Sequence, residues 1–126
     1  MTPWRYDPRM ETTVAALQAE ALRFRDARDW AQFHKAKDLA VGLAVEAGEL
    51  LELFLWKSEA ETEAARTDPA ARERVGEELA DVLMFVLYLA HERGVDLPAA
   101  FHDKLRKNAA KYPVERFKGS ARKYDA

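Results

Sequence analysis

The chain has no cysteine and only five glycines and five prolines in 126 residues. The first absence excludes disulfides, thiolate metal sites and a cysteine nucleophile. Few glycines and prolines leave few sites for strand-to-strand turns, and no segment alternates apolar with polar residues as a half-buried strand does. No charge of one sign dominates: 20 Lys and Arg stand against 22 Asp and Glu, a formal net charge of −2. That balance lacks the basic excess of a general nucleic-acid binder, so no nucleic-acid partner is expected. Long hydrophobic runs are missing too. The longest, Val82 to Ala90, is about half of what a bilayer span needs, so no membrane partner is expected. No apolar segment follows a basic start, so no signal peptide is expected, and the chain reads as cytoplasmic.

What is present is helical periodicity. Val14, Leu17, Ala21 and Phe24 recur at spacings of three or four and predict a first helix from about Met10 to Arg28. Leu39, Leu43, Leu50 and Leu53 form the stripe of a second, from about Lys35 to Trp56. Asp68-Pro69 reads as an N-cap with proline in the first turn, predicting a third helix that Gly94 stops after Arg93. Asp96 caps a fourth, Leu97 to Lys111, which Tyr112-Pro113 ends; an irregular, basic tail follows from Val114. The expectation is one all-α domain over residues 1–126, with a four-helix bundle-like architecture. Helices of this length leave apolar faces uncovered, so a homo-oligomer is expected.

The informative residues are acidic. The second helix carries Glu46-Ala-Gly-Glu49 and the third Glu78-Leu-Ala-Asp81. Residues three apart share a helix face. Glu46 falls on the apolar stripe between Leu43 and Leu50, and Glu78 and Asp81 sit at the mouth of the most hydrophobic run. Carboxylates against a core are costly unless something positive compensates, and neither motif contains Lys or Arg. Oxygen-only ligands without cysteine or paired histidines select a hard cation, Mg²⁺ with Mn²⁺ as a substitute. A lone pair of Glu at this spacing is usually a solvated face, and Glu59, Glu61, Glu63, Glu73 and Glu92 are read that way.

These motifs resemble the MazG-like nucleoside triphosphate pyrophosphohydrolases, whose signature is ExxE on one helix and ExxD on the next. The likeness to the dCTP pyrophosphatase branch rests on Arg28-Asp29-Trp30-x-Gln32-Phe33-His34, Glu46-x-Gly48-Glu49-Leu50, Phe54-x-Trp56-Lys57-Ser58 and Glu77-Glu78-Leu79-x-Asp81. It continues through Val95-Asp96-Leu97-Pro98, Lys111-Tyr112-Pro113 and Gly119-Ser120-Ala121-x-Lys123-Tyr124. The resemblance implies water attack at the α-phosphorus of a nucleoside triphosphate, dCTP or a modified cytosine nucleotide, releasing pyrophosphate in nucleotide-pool housecleaning. It implies Mg²⁺ held by Glu46, Glu49, Glu78 and Asp81; for the general base, which the sequence does not identify, Glu46 and Glu49 are the candidates. It implies a base pocket from Trp30, Ala31, Gln32, Phe33 and His34, with Trp56 and Phe85, and phosphate contacts at Asn108 and Lys111. It also implies a homodimer or homotetramer. Two positions depart from the eukaryotic dCTP enzymes: Ala21 stands where they carry a base-contacting histidine, and Phe85 where they carry a tyrosine. Each removes a hydrogen bond to base or sugar, so looser base selection is expected.

Two other readings compete. Ferritin-like di-metal bundles need Glu-x-x-His, but Ala31, Tyr88 and Ala99 precede His34, His91 and His102 by three. A helical metal-binding or protein-interaction module without catalysis would leave the placement of Glu46 unexplained.

Overall fold

The computed structural model describes residues 5, 7–9 and 12–126, and every regular element among them is helical. The chain forms two compact units, one through Gly94 and one from Val95 to Ala126.

The first unit contains α1 (Val14–Asp26), a 3₁₀ turn (Ala31–Phe33), α2 (Ala36–Glu52), α3 (Glu59–Ala65) and α4 (Pro69–Arg93). Thr13 caps α1, its hydroxyl accepting from the Ala16 amide; the start expected at Met10 lies outside the described residues. The helix ends at Asp26 rather than Arg28, because the chain turns through Asp29 at φ 54°. Helix α2 ends at Glu52, not at Trp56. Leu53 to Trp56 continue as turns, and Trp56 takes φ 64°, the left-handed conformation that stops helices and normally favours glycine. Ser58 then caps α3, its Oγ accepting from the Glu61 amide and donating to the Glu61 carboxylate. This helix was not expected, since its Glu- and Ala-rich sequence has no apolar stripe. Asp68, accepting from the Ala71 amide, and Gly94 at φ 65° bound α4 where the sequence predicts.

Helix α4 packs on both α1 and α2. Two long-range hydrogen bonds tie it to α1: Gln18 Nε2 donates to the Leu87 carbonyl and the Tyr88 hydroxyl to the Ala21 carbonyl, each at 2.9 Å. Against α2 it runs antiparallel in a regular register. Gly42 abuts Phe85, Glu46 and Glu49 meet Glu78, and Leu39, about one turn before Gly42 on α2, is 1% exposed. One seam therefore passes within three turns from a sealed apolar layer to a layer of carboxylates.

The second unit is α5 (Leu97–Lys111), capped by Asp96 as the sequence predicts, and a one-turn α6 (Val114–Phe117) where an irregular tail was expected. Phe117 is buried and packs edge-on against Tyr112 at 4.9 Å, and Tyr112 in turn against Tyr124 at 5.8 Å. Among the described residues no helix is long and apolar enough to cross a membrane.

Candidate metal and nucleotide site

Glu46 and Glu49 lie three residues apart on α2, so both project from one face. The antiparallel register sets Glu78 of α4 against them. Glu46, Glu49 and Glu78 each offer a carboxylate oxygen, and these oxygens lie within 4.8 Å of one another. Asp81 falls outside that group, but its charge acts on both Glu46 and Glu78. One oxygen of Glu46 and one of Glu78 are buried without any hydrogen-bond donor. Among the described residues, no ion pair involves any of the four acids.

The electrostatics follow from this crowding. Desolvation, then the adjoining Glu49 carboxyl and the charges of Asp81 and Glu78, push Glu46 up to about 7. Desolvation and then Glu49 also raise Glu78. A cluster that resists its own ionisation, with donor-free oxygens turned inward, fits a hard divalent cation in both charge and ligand chemistry.

The aromatic candidates divide into two groups. Trp30 packs edge-on against Phe24 at 5.8 Å, and the Arg28 guanidinium lies 3.6 Å above the Phe24 ring. In the turn that follows, Ala31 and Phe33 are exposed, Phe33 to 62%, and Gln32 Nε2 donates back to the Asp29 carbonyl. The His34 ring lies 4.6 Å from that of Tyr88, tilted by 58°, with its Nδ1 buried and unpartnered. Burial, then the Arg25 charge, lowers its pKa. Phe85 stands one turn beyond Asp81 and meets Tyr88 edge-on at 6.4 Å. Trp56 belongs to neither neighbourhood. It follows the other end of α2, a helix of about 25 Å at 1.5 Å per residue, and is 94% exposed. Within one chain, then, Trp56 and the Trp30–His34 turn flank opposite ends of α2. Asn108 and Lys111 belong to the second unit, where Asn108 is half-buried and the Lys111 ammonium sits 5.0 Å from the Tyr124 ring centre.

The MazG-like family model matches residues 41–126, a span that includes both acidic motifs. The chain belongs to the MazG-like family. Its relatives include dCTP pyrophosphatase 1 of Mus musculus, 41% identical over 122 residues that make up 97% of this chain and 71% of the relative. The Homo sapiens protein of the same name is 38% identical over 97% of this chain and 72% of its own. Among solved structures, a pyrophosphatase from Archaeoglobus fulgidus superposes with a TM-score of 0.73 at 32% identity, covering 86% of this chain and 99% of that one.

Two features of this MazG-like chain escaped the sequence reading. The left-handed backbone at Trp56 carries no glycine to mark it. Gly42, which lies directly against Phe85, gave no chemical signal at all.

Proposed function

We propose that the chain is a Mg²⁺-dependent nucleoside triphosphate pyrophosphohydrolase that accepts dCTP or a modified cytosine nucleotide among its substrates. The carrying observation is the carboxylate cluster, whose buried oxygens on Glu46 and Glu78 lack any donor. Glu46, Glu49 and Glu78 would hold the cation, with Asp81 as a fourth ligand one turn along α4. When bound, the cation would neutralise triphosphate charge and lower the pKa of a water, and Mn²⁺ would also serve. Glu46 or Glu49 would accept the proton of the water that attacks the α-phosphorus, with pyrophosphate as the leaving group. The names of the relatives support this substrate class, and the family match runs across both units, which supports one functional domain.

The working form is a homodimer or homotetramer. Val41, Val45 and Leu51 of α2 and Leu79, Leu83 and Met84 of α4 are exposed. An apolar groove of about 340 Å³ between α1 and α4 is lined by Leu17, Phe24 and Leu83 among others. Apolar surface this extensive is uncommon on a soluble monomer. A base stacked at the Trp30–His34 turn lies beyond reach of Trp56 on the same chain. A second copy would bring the missing ring to the pocket that Phe85 also lines.

The test is a panel of canonical and modified triphosphates, each assayed for pyrophosphate release with Mg²⁺ and with chelator. Release from cytosine nucleotides among others, only with metal, is expected. No release from any member, together with no effect of Mg²⁺ on thermal stability, would leave a non-catalytic helical module.

A further inference from the structure

Gly42 sits in the interior of α2, where glycine is a poor helix former. A Cβ added to it would collide with Cε1 of Phe85 and lie 2.6 Å from Cζ and 2.9 Å from Cδ1 of the same ring. No side-chain carbon is accommodated at such distances without movement of the ring or of the helices. The other two helical glycines, Gly48 and Gly76, would meet nothing within 4 Å. The close approach thus occurs at one position, and that position is specific: Gly42 is one turn before Glu46, and Phe85 one turn after Asp81. The ring is pressed against bare α2 backbone on one side and meets Tyr88 edge-on on another. Tyr88 is itself held, by its hydrogen bond to the Ala21 carbonyl and by contact with the tilted His34 ring.

We propose that Gly42 is a positioning residue for substrate selection: its missing side chain seats the Phe85 ring on α2 and so sets the room left for a nucleoside beside the carboxylates. This rests on the nucleoside triphosphate reading of the same site. A methyl group at residue 42 drives the ring off the backbone and into that space. The carboxylates, one turn away on either helix, keep their places if the ring alone moves. They separate if the helices part instead, and the two outcomes give different kinetics.

The experiment measures kcat/KM for a purine and a pyrimidine deoxynucleotide, and the Mg²⁺ concentration giving half-maximal rate, in the parent, Gly42→Ala, Phe85→Leu and the double variant. In the parent background, Gly42→Ala is expected to raise KM about fivefold or more and to shift the purine-to-pyrimidine ratio of kcat/KM at least about threefold. The Mg²⁺ requirement should move less than about twofold. In the Phe85→Leu background the same substitution should leave the ratio within about twofold, since the ring it displaces is gone. A ratio is insensitive to a partly folded sample, so loss of stability does not mimic the effect. If Gly42→Ala fails to fold, its comparison in the Phe85→Leu background still decides: an altered ratio or Mg²⁺ requirement there overturns the proposal. Equal effects in both backgrounds, or an unchanged ratio in the parent background, overturn it as well. A parent that releases no pyrophosphate from any triphosphate defeats the underlying reading instead.

Discussion

Glu46 and Glu78 face each other across the α2–α4 seam, each with one buried carboxylate oxygen that no donor reaches. In a metal-free protein this arrangement opposes folding, because like charges are held together in a poorly solvated place. A cation bound between the carboxylates would offset that cost.

Removing one of these charges should therefore separate stability from activity. Glu46→Gln is expected to raise the metal-free melting temperature at pH 8, while turnover falls by roughly 10²–10³. Mg²⁺ should stabilise the parent by linkage, each kcal/mol moving the midpoint by roughly 4 °C for a domain of this size. That shift should largely vanish in the variant. Calorimetry with and without Mg²⁺ checks both parts; a variant less stable than the parent without metal would mean that Glu46 is a structural hydrogen-bonding group.

The same crowding sets a pH dependence with a definite sign. Glu46 titrates near 7 in the folded chain against an ordinary value of 4.5, so between these the folded state holds a proton that the unfolded state has lost. The contribution of Glu46 to metal-free stability is thus fullest below about 4.5 and is lost as pH rises through about 7. Cation and proton compete for the same oxygens, so the stabilisation by Mg²⁺ should grow over that window. Denaturant melts at pH 5 and 8 measure the difference, and Glu46→Gln should flatten it.

Trp56 combines a left-handed backbone with near-complete exposure, a pairing that the fold does not require. The left-handed conformation costs a non-glycine residue about 1–2 kcal/mol. Trp56→Gly should therefore raise the melting temperature slightly. If the ring stacks on a base, as proposed, the same variant should weaken binding of every triphosphate by about 1–3 kcal/mol. Unchanged KM for all nucleotides would remove Trp56 from the pocket.

The exposed apolar faces of α2 and α4 predict self-association. Sedimentation equilibrium of the parent should give two or four times the 14.4 kDa chain mass. Leu83→Lys, placed on the exposed part of α4, should shift the population toward one chain mass and reduce activity with it. A fully active monomer would show that one chain completes its own site.

Helices α4 and α5 were legible because their ends are written in side-chain chemistry: Asp68 with Pro69, Gly94, and Asp96. The end of α2 was not. Leu53, Phe54, Leu55 and Trp56 prolong its apolar character, and only the backbone at Trp56 shows where the helix stops. Helix α3 is two turns without an apolar stripe, announced by Ser58 and Glu61 alone. The convergence of Glu46, Glu49 and Glu78 was legible because acids interrupting an apolar stripe at helical spacing need a partner. The separation of Trp56 from Trp30 follows from the length of α2 and was already implicit in a helix predicted from Lys35 to Trp56. Gly42 was invisible for the reason that makes it notable: it acts through an atom it lacks.

The most direct test of the account is chromatography of the products formed from dCTP by the parent chain, with Mg²⁺ and with excess chelator, alongside Glu49→Gln. Monophosphate and pyrophosphate in equal amounts, formed only with metal and not by the variant, is the predicted result. Diphosphate with free phosphate, or turnover that survives chelation or the loss of the Glu49 charge, would contradict it.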